Sequence, residues 1–196
     1  LLLIIGGMEG AIIFASLVVG VAVTDQLTSL HHLLRKGRAV RWDPLCLATA
    51  LLVTLTIIMV WWGIAGDEAE TMTIGGFLPS FLLLVLLFLL AAHSLPDREE
   101  VQATGRYDMF AYYDANSRMI WLLYTVASLF SSLTGVVQSA MAGVGRDRIL
   151  LQYGPDLVIV TFLMGSLIFV RRRWWHWVAL VVLYVGPINW LGRSLG

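Results

Sequence analysis

The 196-residue chain has one cysteine, Cys46, and one lysine, Lys36. A lone thiol inside an apolar run excludes an intrachain disulfide and a thiolate metal cluster. A lone lysine in a basic connection excludes a Schiff base buried within a helix bundle. Charge is scarce as well: 13% of residues are Asp, Glu, Lys or Arg against 59% hydrophobic, and the formal net charge is zero. A soluble domain carries about 25% charged residues, so water is not the main solvent here, and the zero balance removes any global electrostatic argument for nucleic acid. Also missing are a P-loop, a G-x-S-x-G elbow and a G-x-G-x-x-G turn opening a helix after a strand.

Long apolar runs are what the sequence has instead. A helix needs about 20 apolar residues to cross a hydrocarbon layer of about 30 Å, and six segments qualify: 7–30, 44–65, 76–95, 118–140, 155–170 and 174–191. These predict an all-α, polytopic membrane helix bundle of about six transmembrane helices in a single domain over 1–196, with a cytoplasmic loop over 96–117. Leu1 opens directly in an apolar run without a basic n-region or cleavage site, so no signal peptide is expected, and the missing initiator Met points to residues in front.

Basic residues set the orientation. Arg35, Lys36, Arg38 and Arg41, then Arg98, Arg106 and Arg118, then Arg171, Arg172 and Arg173 fall on one side, while the other holds only Arg146, Arg148 and Arg193. By the positive-inside rule both termini are non-cytoplasmic, and the first and last of these groups act as lipid and topology anchors. Trp42, Trp121, Trp174, Trp175 and Trp177 are expected at the inner interface, and Trp61, Trp62 and Trp190 at the outer one. The loop mixes charge with Tyr107, Met109, Phe110, Tyr112 and Tyr113, which read as an interfacial segment or a docking surface. The third helix has no polar side chain between Ser80 and His93, so it is expected to face lipid.

Two acids on the first span pose the main question. Glu9 and Asp25 are sixteen residues apart, which is about 24 Å along a helix, less than the thickness of the hydrocarbon layer. One of them is therefore immersed if the helix is continuous. Glycines around Glu9 place it at the outer edge, leaving Asp25 about a turn and a half inside the inner boundary, either as ion-binding carboxylate or as interhelical glue. The same helix carries a small or polar stripe, Ser16, Gly20, Thr24, Thr28 and His32. The fourth helix carries another, Ser128, Ser132, Gly135 and Ser139, and the two are expected to meet by packing or across a polar cavity. His31, His32, His93 and His176 fall on the cytoplasmic side, but without a His-rich box or the i, i+4 zinc spacing no metal is expected there, nor any other cofactor.

The run LVVGVAVTDQLTSLHHLLRKGRAVRWDPL, followed by WWG and later by LPD and YYDANSR, resembles a group of uncharacterised multi-helix integral membrane proteins of bacteria. The resemblance covers the first hairpin best and fades after the fourth helix. It implies a bacterial cytoplasmic membrane and a recurring use of Asp25, His32, Arg41, Trp42 and Asp43 near the inner face, and it implies no activity or cofactor.

Three functional readings remain at this point. The leading one is a non-catalytic subunit or accessory protein of a bacterial inner-membrane complex, in contact with the bilayer and with a protein partner or a second copy. The alternative is a small transporter or ion channel with Asp25 as its ion- or proton-binding carboxylate and Thr24, Thr28, Ser128 and Ser132 as neutral oxygen ligands. A membrane enzyme acting at the cytoplasmic face is third.

Overall fold

A computed structural model describes residues 2–65, 74–97, 101 and 106–192. The acidic connection after the second helix and most of 98–105 lie outside the described residues. Among the described residues six long helices follow one another: α1 (Leu2–Lys36), α2 (Pro44–Ala65), α3 (Ile74–Ser94), α4 (Met109–Met141), α5 (Arg146–Phe169) and α6 (Arg173–Leu191). All but α6 are long and apolar enough to cross a membrane, by length and composition. Four tryptophans, His176 and Asn189 lower the apolarity of α6.

Local chemistry explains where the helices begin and end. Pro44 opens α2, where its missing N–H costs nothing, and Asp43 caps it by accepting the Leu45 N–H at 3.0 Å. Asp108 caps α4 in the same way, accepting the N–H of Phe110 at 2.9 Å and of Ala111 at 3.4 Å. That cap starts α4 at Met109, nine residues before the expected Arg118, so the second half of the predicted loop is helix. Two of its side chains turn inward: Met109 and Tyr113 are buried in the core, while Tyr107, Phe110 and Tyr112 are partly exposed. The first helix also runs longer than predicted, through both histidines to Lys36, and stops where Gly37 adopts a φ of +54°.

The fifth helix differs most from expectation. It begins at Arg146 instead of Pro155, and Pro155 lies inside it. Proline lacks the N–H that would bond to the carbonyl of Leu151, and the helix widens just beyond into a π-helical stretch, Ile159–Met164, before returning to α geometry at Gly165.

The third helix keeps an outward apolar side, with Leu78, Leu82 and Leu89 exposed, and packs its other side on α1, α2 and α4, burying Leu84, Leu87, Leu90, Ala91 and Ser94. Packing corrects two further expectations. The stripes of α1 and α4 do not form a shared interface, since α1 packs on α2 and α3 while α4 packs on α3, α5 and α2. Trp121 belongs to the core and not to an interfacial belt, being fully buried beside Tyr124 at 5.9 Å. Near the basic end a two-residue parallel pair, Val40–Arg41 with Tyr107–Asp108, ties the α1–α2 connection to the start of α4.

Candidate functional site

The helix ends at the basic side converge on Arg173, the first residue of α6. Its guanidinium donates to Asp43 and, at 2.7 Å, to Asp114, and lies over the rings of Phe110 at 4.7 Å and Tyr113 at 5.6 Å. Arg41 approaches the same Phe110 ring at 4.6 Å and pairs with Asp108 at 3.1 Å. Asp43 is 1% exposed, so its charge depends on Arg173 and on the cap hydrogen bond for compensation. Arg173 was expected to be an outward anchor beside Arg171 and Arg172. Those two are exposed, whereas Arg173 is drawn into the bundle by the buried aspartate.

One turn deeper, His176 closes the assembly. Its Nε2–H donates to the carbonyl of Val170 at 2.8 Å, and its Nδ1 accepts from the Tyr113 hydroxyl at 2.8 Å and the Trp121 N–H at 3.2 Å. The Val170 carbonyl only accepts, which places the proton on Nε2, and Nδ1 is then the acceptor for the Trp121 N–H, which it shares with the Tyr113 hydroxyl at 3.1 Å. A cleft of about 330 Å³ lined by Tyr113, Asp114, Ser117, Arg171, Arg173 and His176 opens beside it. Asp43, Asp114, Arg173, Tyr113, Trp121 and His176 all have partners within this hub, so its chemistry is that of a clamp joining α2, α4 and α6. Asp108, outside the helices, has its carboxyl held below the usual range: partial desolvation raises it, but the N–H groups of Phe110 and Ala111 and the Arg41 guanidinium outweigh that.

The helix α1 is continuous from Leu2 to Lys36, so Glu9 and Asp25 share one unbroken span; the side chain of Glu9 lies outside the described residues. Gln26, next to Asp25, is the residue that enters the bundle. It donates to Ser94 at 2.6 Å and to the Ala50 carbonyl at 3.4 Å, and accepts from Thr54 at 2.7 Å. Because Ser94 ends α3, this contact sets Asp25 level with the end of a 21-residue helix, one just long enough to span about 30 Å. Asp25 itself is half-buried and borders none of the larger clefts.

The remaining α1 stripe divides. Ser16 accepts from the Trp61 N–H at 3.0 Å, whereas Gly20, Thr24 and Thr28 face outward, with open space beside Gly20. Thr49, Thr54, Thr56, Thr125 and Thr134 return their hydroxyls to the carbonyl four residues back; among the described residues Thr24 and Thr28 have no such bond. His32 borders a cleft with Arg35, Lys36 and Val101, and Lys36 donates to the Val101 carbonyl. His31 is exposed, its ring 5.7 Å from that of His32, while His93 is bonded to the Leu89 carbonyl. Arg38, Arg41 and Arg106 surround a cleft of about 490 Å³ over the parallel strand pair.

On α4, Gly135 and Ser139 meet Tyr153 of α5, whose hydroxyl is 3.3 Å from that of Ser139. Ser128 and Ser132 instead line a cleft on the side away from α1. The structure thus separates Asp25 from the α4 serines. Sequence reasoning missed Gln26, Thr54 and Ser94, although the series Ala15, Ala22, Gln26, Ser29, Leu33 at helical spacing marked the inward face. The chain matches no family model, no curated protein and no solved structure, so the residues themselves carry the functional argument.

Proposed function

We propose that this protein is a non-catalytic subunit of a bacterial inner-membrane complex, a six-helix integral membrane protein with both termini on the non-cytoplasmic side, docked to another membrane protein or a second copy through α1. The observation that carries this reading is the outward polar face of α1: Gly20, Thr24 and Thr28 are exposed, and neither threonine hydroxyl is bonded among the described residues. Lipid tails offer nothing to such a face, while a partner helix can approach a glycine closely and hydrogen-bond to threonine. Asp25 at the edge of this face is level with the end of α3, which this reading takes as the inner boundary, within reach of a partner's cation. The arginine clamp supports the same reading, since its groups are satisfied internally and hold the helix ends together without leaving a reactive centre. The transporter alternative needs Asp25 beside Ser128 and Ser132, and α1 and α4 share no substantial interface.

A photo-crosslinking residue placed at Thr24 in native membranes tests the proposal, with Val181 on the exposed side of α6 as the control. A discrete adduct from Thr24 and none from Val181 is expected. Adducts to lipid alone from both positions would remove the docking role of α1.

A further inference from the structure

Between α2, α3, α4, α5 and α6 lies a cleft of about 340 Å³ that includes Asp156, Ser128, Ser131 and Ser132. A second cleft of about 320 Å³ shares Val60, Leu83 and Ser131 with it. Neither the Asp156 carboxyl nor any of these three serine hydroxyls has a hydrogen-bond or ion-pair partner among the described residues. The other two polar side chains of the wall, Thr56 and Tyr124, bond to each other at 2.6 Å. The rest of the wall is apolar, with Met59, Leu87, Val160 and Met164 among it.

Depth makes the carboxyl costly. Asp156 is thirteen residues from Phe169, the arginine-side end of α5, or about 20 Å along the helix, inside a hydrocarbon layer of about 30 Å. Asp156 is exposed at the rim of the cleft; an acid at that depth needs a partner or a proton, and among the described residues none pairs with it, Arg146 and Arg148 lying two or more turns away along α5. The widened π-helical stretch begins three residues beyond Asp156 and places Ile159, Val160 and Met164 along the wall. Such local widening of a helix recurs at functional sites. Few polar groups converging in an apolar concavity of a few hundred Å³ describe a small-molecule site.

We propose that this cleft binds a lipophilic organic cation, its positive group held by the Asp156 carboxylate and the α4 serine hydroxyls and its apolar body along Met59, Leu87, Val160 and Met164. The proposal uses α5 and α4 and is independent of docking through α1; only the depth of Asp156 depends on membrane insertion. A proton on Asp156 and a cation from a partner protein are the competing occupants.

Phenyltrimethylammonium binding to the purified full-length chain in nanodiscs of zwitterionic lipid, measured by calorimetry, tests it. Saturable binding is expected, at least tenfold tighter than that of tert-butylbenzene, the neutral molecule of the same shape. Asp156→Asn should weaken it at least tenfold, with Asp156→Glu and Asp25→Asn near the parent. Absence of saturable binding, equal affinity for the neutral molecule, or full affinity in a folded Asp156→Asn variant would each overturn the proposal. Should Asp156→Asn fail to fold, the comparison of charged and neutral probes on the parent chain decides.

Discussion

Gln26 donates to the hydroxyl of Ser94 at 2.6 Å, while Asp25, one residue earlier, turns to the margin of the bundle. Adjacent positions on a helix point about 100° apart, so the polar pair is split between an interior and an exterior role. Gln26→Ala removes the bridge among α1, α2 and α3 and leaves a void. Ser94 and Thr54 keep fallback bonds to the carbonyls of Ala91 and Ala50, which limits the cost to about 1–2 kcal/mol. Asp25→Asn should change stability by less than about 0.5 kcal/mol. Unfolding in mixed micelles measures both, and a larger effect at Asp25 would reverse the assignment of faces.

The Arg173–Asp43 pair is asymmetric in the same sense. Arg173→Met strands a carboxylate that is 1% exposed, whereas Asp114→Asn removes a partner that is 62% exposed. Losing one member of a buried pair costs about 3–5 kcal/mol; with Arg173 31% exposed and partly screened, about 2–3 kcal/mol is expected. Asp114→Asn should cost under about 1 kcal/mol. Thermal unfolding of the two variants in one detergent gives the ranking, and equal losses would show that Asp43 is compensated by something other than Arg173.

Apolar runs near 20 residues made the helices legible, and Pro44 after Asp43 marked the start of α2 to the residue. The extra turns of α4 were hidden because the segment around Tyr107 and Asp108 is polar and aromatic enough to read as loop; the cap at Asp108 was the signal for its start. Which side of α3 packs on its neighbours was not legible, since an unbroken apolar surface fits lipid and protein equally well when both are apolar. Nor was the Arg173 hub, because three successive arginines read as an anchor and only the fold brings Asp43 beside one of them.

Asp108 supplies a pH dependence of known sign. Its folded carboxyl titrates below the ordinary value of 3.8, so its cap and its pairing with Arg41 contribute stability that is present above that value. The contribution is lost as the pH falls through the lower, folded value. Amide exchange at Phe110 and Ala111 should therefore be slow at pH 5 and accelerate, beyond the intrinsic pH trend, on acidification below the ordinary carboxylate range. The Asp108→Ala variant should exchange quickly at both ends. A parent profile that tracks the intrinsic trend alone would mean that the cap does not hold the first turn of α4.

Gly135 owes its place to the ring of Tyr153. A methyl group added there would stand 2.6 Å from a ring carbon and 2.8 Å from the hydroxyl, closer than atoms of neighbouring side chains approach. Gly135→Ala must displace the tyrosine, breaking its contact with Ser139 and separating α4 from the first half of α5. Because the ring can swing away, the cost is expected at the low end of overpacking, about 1–2 kcal/mol. Tyr153→Ala in the parent loses the same contact by leaving a gap, but in the Gly135→Ala background it relieves the clash. The two losses should therefore fall short of additive by about 1 kcal/mol in a double-mutant cycle. Simple additivity would show that the glycine and the tyrosine act independently and that α4 and α5 are held by other contacts.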